Sequence, residues 1–168
     1  MLARELYEDA RLVFLVRDMR DLLASRIAFN RKTGLTQFGY EPSIGDEEYV
    51  RGVMRTEVDD LYESWRALGD AAVLLRYEDL MLQPHDTLEA LFAQLGLVAD
   101  AETVTQVLER ARARVPERQA GHRTTVNEQA SMGRWRDDLS PGLQEACAQA
   151  FAAPLAAFGY ETGTRGAA

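Results

Sequence analysis

Apolar residues along this chain fall into short unbroken runs and into helical stripes, and the two patterns alternate. Leu12 to Val16 is a continuous apolar run of strand length, too brief for a helix. AAVLLRY, residues 71–77, is a second. Neither alternates with polar positions, so both read as buried strands. Around them the apolar spacing changes to three and four. Leu2 and Leu6 predict a helix over residues 2–10. Asp18 can cap the next helix, Asp21 favours its positive end, and Leu22, Leu23, Ile27 and Phe29 supply an apolar side as far as about Arg31. Val50, Val53, Met54, Val58, Leu61, Trp65 and Leu68 mark a long amphipathic helix ending near Gly69.

Pro84 suits the first turn of a helix whose Leu88, Leu91, Phe92 and Leu95 face inward before Gly96 stops it. Val104, Val107 and Leu108 predict another helix over residues 101–113. Two stretches lose periodicity and read as loops: KTGLTQFGYEPSIGD, residues 32–46, and VPERQAGHRTTVNEQASMGRWRDDL, residues 115–139. Ser140 and Pro141 then open a last helix carrying Leu143, Cys147, Phe151, Leu155 and Phe158, which Pro154 should kink or interrupt. The tail from Thr162 is expected to fray. Strands alternating with helices imply parallel pairing and an α/β class, a short parallel sheet flanked by many helices. Two parallel strands seldom stand alone, so the open sheet also predicts self-association.

Composition narrows this picture. With 168 residues and 46% hydrophobic content, the chain can bury one compact core, so a single domain over residues 1–161 is expected. A formal net charge of −8 opposes general attraction to nucleic acid or anionic membranes, so an anion site must be a local cluster. Lys32 is the only lysine, which leaves arginine to supply that cluster. The single cysteine, Cys147, excludes an internal disulfide, and no Cys/His spacing suggests a metal. No apolar run approaches membrane-span length, and the amino terminus lacks the apolar core of a signal peptide. A cytoplasmic location is the expectation.

Ligands of open parallel sheets gather outside the carboxyl ends of the strands, where Arg17 and Tyr77 stand. Ser25 follows Arg17 by two helical turns, about 80° off its face and about 12 Å along the axis, a gap a long guanidinium can partly close. A planar fork of donors and a hydroxyl can hold one phosphate between them. Spacing alone leaves a second reading level with this one, in which Arg17 pairs with Asp21 on the surface and Ser25 is solvated. His122 and His85 read as solvent-facing, and Glu78 with Asp79 as caps of the following turn.

Three ordered blocks carry a family resemblance: LVFLVRDMRDLLASR, LLRYEDLMLQPHDTLEALFAQLGL and HRTTVNEQASMGRWRDDLSP. Together they resemble the cytosolic-type sulfotransferases, the bacterial ones especially, from about Leu6 to Tyr160. That family transfers a sulfuryl group from 3′-phosphoadenosine-5′-phosphosulfate (PAPS) to a hydroxyl or amine, without a metal. The resemblance implies an incomplete P-loop-like three-layer fold. It places Arg17 and Ser25 on the 3′-phosphate of the nucleotide, Tyr77 near the adenine, and Gly133, Arg134 and Trp135 in a late loop closing over the 3′-phosphate. Where many members carry Arg-Lys-Gly just before this glycine, the chain has Glu128, Gln129 and Ala130. Arg134 or Arg123 would then supply the missing cation.

The family's phosphate-binding loop and its catalytic base come early, ahead of the strand matching Leu12 to Val16. The residues before Leu12 contain no Gly, Ser, Thr, Lys or His, and no G-x-x-x-x-G-K-[S/T] occurs anywhere. Three possibilities follow: a truncated and weakly active or inactive sulfotransferase, a short homologue binding nucleotide or a partner without catalysis, or an unrelated helical module. No catalytic base is identified, and the acceptor, small molecule or biopolymer, is not specified. Phe38 and Tyr40 in the 32–46 loop are candidate acceptor contacts.

Overall fold

The computed structural model describes residues 9–41, 43–113 and 124–164. The expected helix over 2–10 therefore lies largely, and the candidate Arg123 and the neighbouring His122 wholly, outside the described residues. The chain divides into two compact units, Met1–Val16 with Ser64–Arg114 and Arg17–Glu63 with Val115–Ala168, as far as their residues are described.

The first unit holds a parallel pair of strands, β1 (Leu12–Val16) and β2 (Ala72–Arg76), in register from Leu12 opposite Ala72 to Val16 opposite Arg76. The α/β class holds, with few strands and many helices. Complete coverage of the strands does not. Successive strand residues point to opposite faces, and burial alternates along β1, with Val13 43% and Leu15 55% exposed. Phe14 on the other face packs against Trp65, ring centroids 5.3 Å apart. An apolar run thus reads as doubly covered in sequence although, among the described residues, one of its faces stays open. The remainder of this unit is helical: α4 (Tyr77–Leu82), α5 (Pro84–Gln94) and α6 (Ala101–Ala113). Pro84 occupies the first turn of α5 and Gly96, at φ +68°, takes the left-handed turn after it. Leu91 and Val104 are buried, whereas Val107, expected inward, is exposed.

The described residues of the second unit form helices joined by loops and turns, without a strand. Its first helix, α1 (Met19–Thr33), begins at Asp18, whose side chain accepts the Arg20 N–H, and closes on Gly34 in the left-handed conformation. After the loop that follows Gly34, α2 (Asp46–Tyr49) passes through a π-helical turn at Val50–Met54 into α3 (Arg55–Leu68), whose residues from Ser64 belong to the first unit. The predicted long helix is thus observed with a widened turn, which lets Tyr49, Val50 and Met54 all bury fully. Short helix α7 (Trp135–Asp138) and the 3₁₀ turn Gln129–Ser131 occupy a stretch expected to be loop. Ser140 caps α8 (Pro141–Ala150) through the Leu143 N–H, with Pro141 in the first turn. The helix breaks at Phe151 and restarts as α9 (Ala152–Ala157), in whose first turn Pro154 is accommodated. Leu23, Ile27, Met54, Trp135, Cys147, Phe151, Leu155 and Phe158 form the core of this unit.

Candidate functional site

The R-D-M-R-D stretch distributes its charges among different tasks. Arg17 directly follows β1, and Asp18 is the cap of α1. The Asp18 carboxylate also meets Arg20 in a two-pronged pair, Nε to Oδ1 at 3.0 Å and Nη2 to Oδ2 at 2.8 Å. Arg20 is fully buried, its guanidinium 3.9 Å over the Trp135 ring and its Nη1 donating to the Gly163 carbonyl at 3.1 Å. Every direction in which it could meet a ligand is taken by the protein, so Arg20 is structural.

Arg17 is placed differently. It is half-buried, and its Nη2 lies 3.5 Å from the Ser25 hydroxyl and donates to the Ser131 carbonyl at 2.9 Å. The first distance is at the edge of hydrogen bonding. It leaves the guanidinium fork and the hydroxyl side by side, as a shared tetrahedral oxyanion requires. The alternative in which Arg17 and Asp21 form a simple surface pair fails on Asp21, which is buried and accepts the N–H groups of Gly133 at 2.6 Å and Trp135 at 3.0 Å. Burial raises the Asp21 carboxyl above its ordinary value, the two N–H groups and Arg17 opposing that rise and Asp18 adding to it.

Residues 2–102 match the model of the Sulfotransferase family, well over half of the chain. This chain is a member of the sulfotransferase family. The match contains both strands, Arg17, Ser25 and Tyr77, and the unrelated helical module is thereby set aside. No curated protein and no solved structure matches.

Within this sulfotransferase domain the remaining candidates fall in both units. Tyr77 follows β2 as the first residue of α4 and belongs to the strand-bearing unit, where it is half-buried. Glu78 beside it is buried, and Asp79 lies 3.9 Å from Arg76. Gly133 takes φ +71°, a left-handed conformation that favours glycine. Arg134 is engaged by Asp138 through Nε and by Thr124 through Nη1, at 2.8 Å for the latter. Trp135 is a buried anchor between Arg20 and Arg136, the latter guanidinium 4.6 Å from its ring. The 131–135 loop lies beyond the matched segment.

Arg26 was not singled out in the sequence, and it stands beside Phe38, which was. Arg26, next to Ser25, donates to Tyr49 Oη at 3.1 Å and Glu57 at 2.6 Å and stands 5.2 Å from the Phe38 ring. Phe38 is held at φ +63°, uncommon for a bulky residue, with its carbonyl accepting from Tyr49 Oη at 2.8 Å. Tyr40 lines a separate cavity of about 220 Å³ with Ile27, Asn30 and Thr36. His85, Asp86 and Glu89 gather on α5 in the other unit, where an i,i+4 contact of 3.6 Å between His85 and Glu89 accounts for the cluster. No helix among the described residues is long and apolar enough to cross a membrane.

Proposed function

We propose that Arg17 and Ser25 bind the 3′-phosphate of PAPS and of its product, 3′,5′-bisphosphoadenosine, in an enzyme that transfers a sulfuryl group to an acceptor hydroxyl or amine. The observation supporting this reading is the 3.5 Å approach of the Arg17 guanidinium to the Ser25 hydroxyl in a chain of the sulfotransferase family. The donor set fits the ligand. A doubly charged, tetrahedral oxyanion suits a fixed cation with several N–H groups and one rotatable O–H. Arginine is weakly hydrated and always charged, so it keeps this role in a chain whose net charge is −8.

In the reaction, the acceptor oxygen or nitrogen forms a bond to sulfur while the bond from sulfur to the 5′-phosphate oxygen breaks. The acceptor proton passes to a base, and 3′,5′-bisphosphoadenosine leaves. Arg17 and Ser25 act on the far phosphate, so their contribution is to fix the donor, which lowers the entropic part of the barrier.

Calorimetric titration with 3′,5′-bisphosphoadenosine and with 5′-AMP tests the reading. The protein should prefer the bisphosphate, and Arg17→Ala should remove the preference. Equal affinity for the two nucleotides in the unaltered protein contradicts it.

A further inference from the structure

Asp21 is the charged residue of the R-D-M-R-D stretch that phosphate binding and the buried Asp18–Arg20 pair leave unexplained. Its carboxylate is 1% exposed and accepts two amides of one loop, Gly133 N–H on Oδ2 and Trp135 N–H on Oδ1. The same loop meets Arg17 through the Ser131 carbonyl at 2.9 Å. Arg17 and Asp21 therefore grip alternate residues of a five-residue segment, 131, 133 and 135, from one turn at the start of α1. Gly133 takes the left-handed conformation between its own amide and that of Trp135, the two amides given to Asp21.

We propose that Asp21 is a positioning residue for the 3′-phosphate site: by fixing the 131–135 loop it holds the Ser131 carbonyl where that oxygen orients the Arg17 guanidinium toward Ser25. The proposal rests on the phosphate reading above and adds a residue that touches no ligand. An arginine side chain has several rotatable bonds, and ordering it at the moment of binding weakens the complex. One carbonyl bound to Nη2 fixes the plane of the fork beforehand. That carbonyl is only as fixed as its loop. The loop is tied within itself at Ser131, whose N–H donates to the Glu128 carbonyl at 3.1 Å, and to α1 by Asp21. A buried carboxylate is an expensive anchor, yet it accepts from two amides at once, which the single carbonyl oxygen of an asparagine in its place could not do with equal geometry.

The test uses the full chain, 3′,5′-bisphosphoadenosine and 5′-AMP as probes, and amide hydrogen exchange across the loop. In Asp21→Asn, exchange at Gly133 and Trp135 should quicken. Affinity for the bisphosphate should fall about tenfold, the worth of one charge-assisted hydrogen bond, while 5′-AMP binding stays unchanged. The double variant with Arg17→Ala should lose no more preference than Arg17→Ala alone, because Asp21 acts only through Arg17. Full bisphosphate preference in Asp21→Asn despite a loosened loop, or additive losses in the double variant, overturns the proposal and leaves the phosphate site standing. Absence of any preference in the unaltered protein instead removes the site itself. Should Asp21→Asn fail to fold, the unaltered protein decides: the bisphosphate, and not 5′-AMP, should slow exchange at Gly133 and Trp135, and equal or no slowing overturns the proposal.

Discussion

The Nη2 of Arg17 donates to the carbonyl of Ser131 at 2.9 Å across most of the sequence, and the same nitrogen lies 3.5 Å from the hydroxyl of Ser25. One contact is to backbone and permanent in kind; the other is to a hydroxyl that can rotate toward a ligand. In the proposed reading, the pair offers an anion one side and is anchored to a loop on the other.

Ser25→Ala separates function from stability at this site. Alanine is the better helix former by about 0.5 kcal/mol, so the variant should unfold at equal or slightly higher denaturant concentration. Loss of one hydrogen bond to phosphate should weaken 3′,5′-bisphosphoadenosine about fivefold, roughly 1 kcal/mol. Chemical denaturation and calorimetry on the same preparation check both halves.

Arg20→Ala should behave in the opposite way. It strands the buried Asp18 carboxylate and strips a guanidinium from the Trp135 ring, so we expect a loss of about 3–5 kcal/mol in unfolding free energy. A variant as stable as the parent would show that Asp18 finds another partner.

Asp21 sets a pH dependence of definite sign. Its carboxyl is raised in the folded protein above the ordinary value of 3.8, burial being the largest cause, with Asp18 adding to the rise and Arg17 opposing it. The folded state therefore holds this proton more tightly than the unfolded chain. Its contribution is full below pH 3.8 and is lost as pH rises through the higher folded value. Relative to Asp21→Asn, which does not titrate, the unaltered protein should gain stability as pH falls through that window. Denaturation curves of both proteins at several pH values check it; a relative loss on acidification contradicts it.

Cys147 is buried in the core of the helical unit, and burial pushes its thiol up to about 12. It should resist thiol reagents at neutral pH in the folded protein and react at once in denaturant, as the thiolate is the nucleophile. Absorbance of the released reagent reports this directly.

Much of the architecture was legible because it rests on local chemistry. The cap at Asp18, Pro84 and Pro141 in first turns, and the left-handed Gly96 follow from side chains acting on their own backbone. Arg17 and Ser25 were legible in part: a strand end followed by helical spacing allows them to meet, while the Ser131 carbonyl that also holds Arg17 is distant in sequence. The open face of β1 was not, because Leu12 to Val16 is apolar on both faces and its composition does not say which one is covered. The loop was opaque for a deeper reason. Its contributions are the Ser131 carbonyl and the Gly133 and Trp135 amides, and backbone groups carry no residue signature. The burial of Arg20 was likewise not legible, since the indole that covers it comes from far along the chain.

The most direct measurement is a structure of the protein with 3′,5′-bisphosphoadenosine. Oxygens of the 3′-phosphate are predicted within about 2.7–3.2 Å of both an Arg17 guanidinium nitrogen and the Ser25 hydroxyl. A nucleotide bound with its 3′-phosphate held by other residues, while Arg17 and Ser25 contact only protein, would contradict the account.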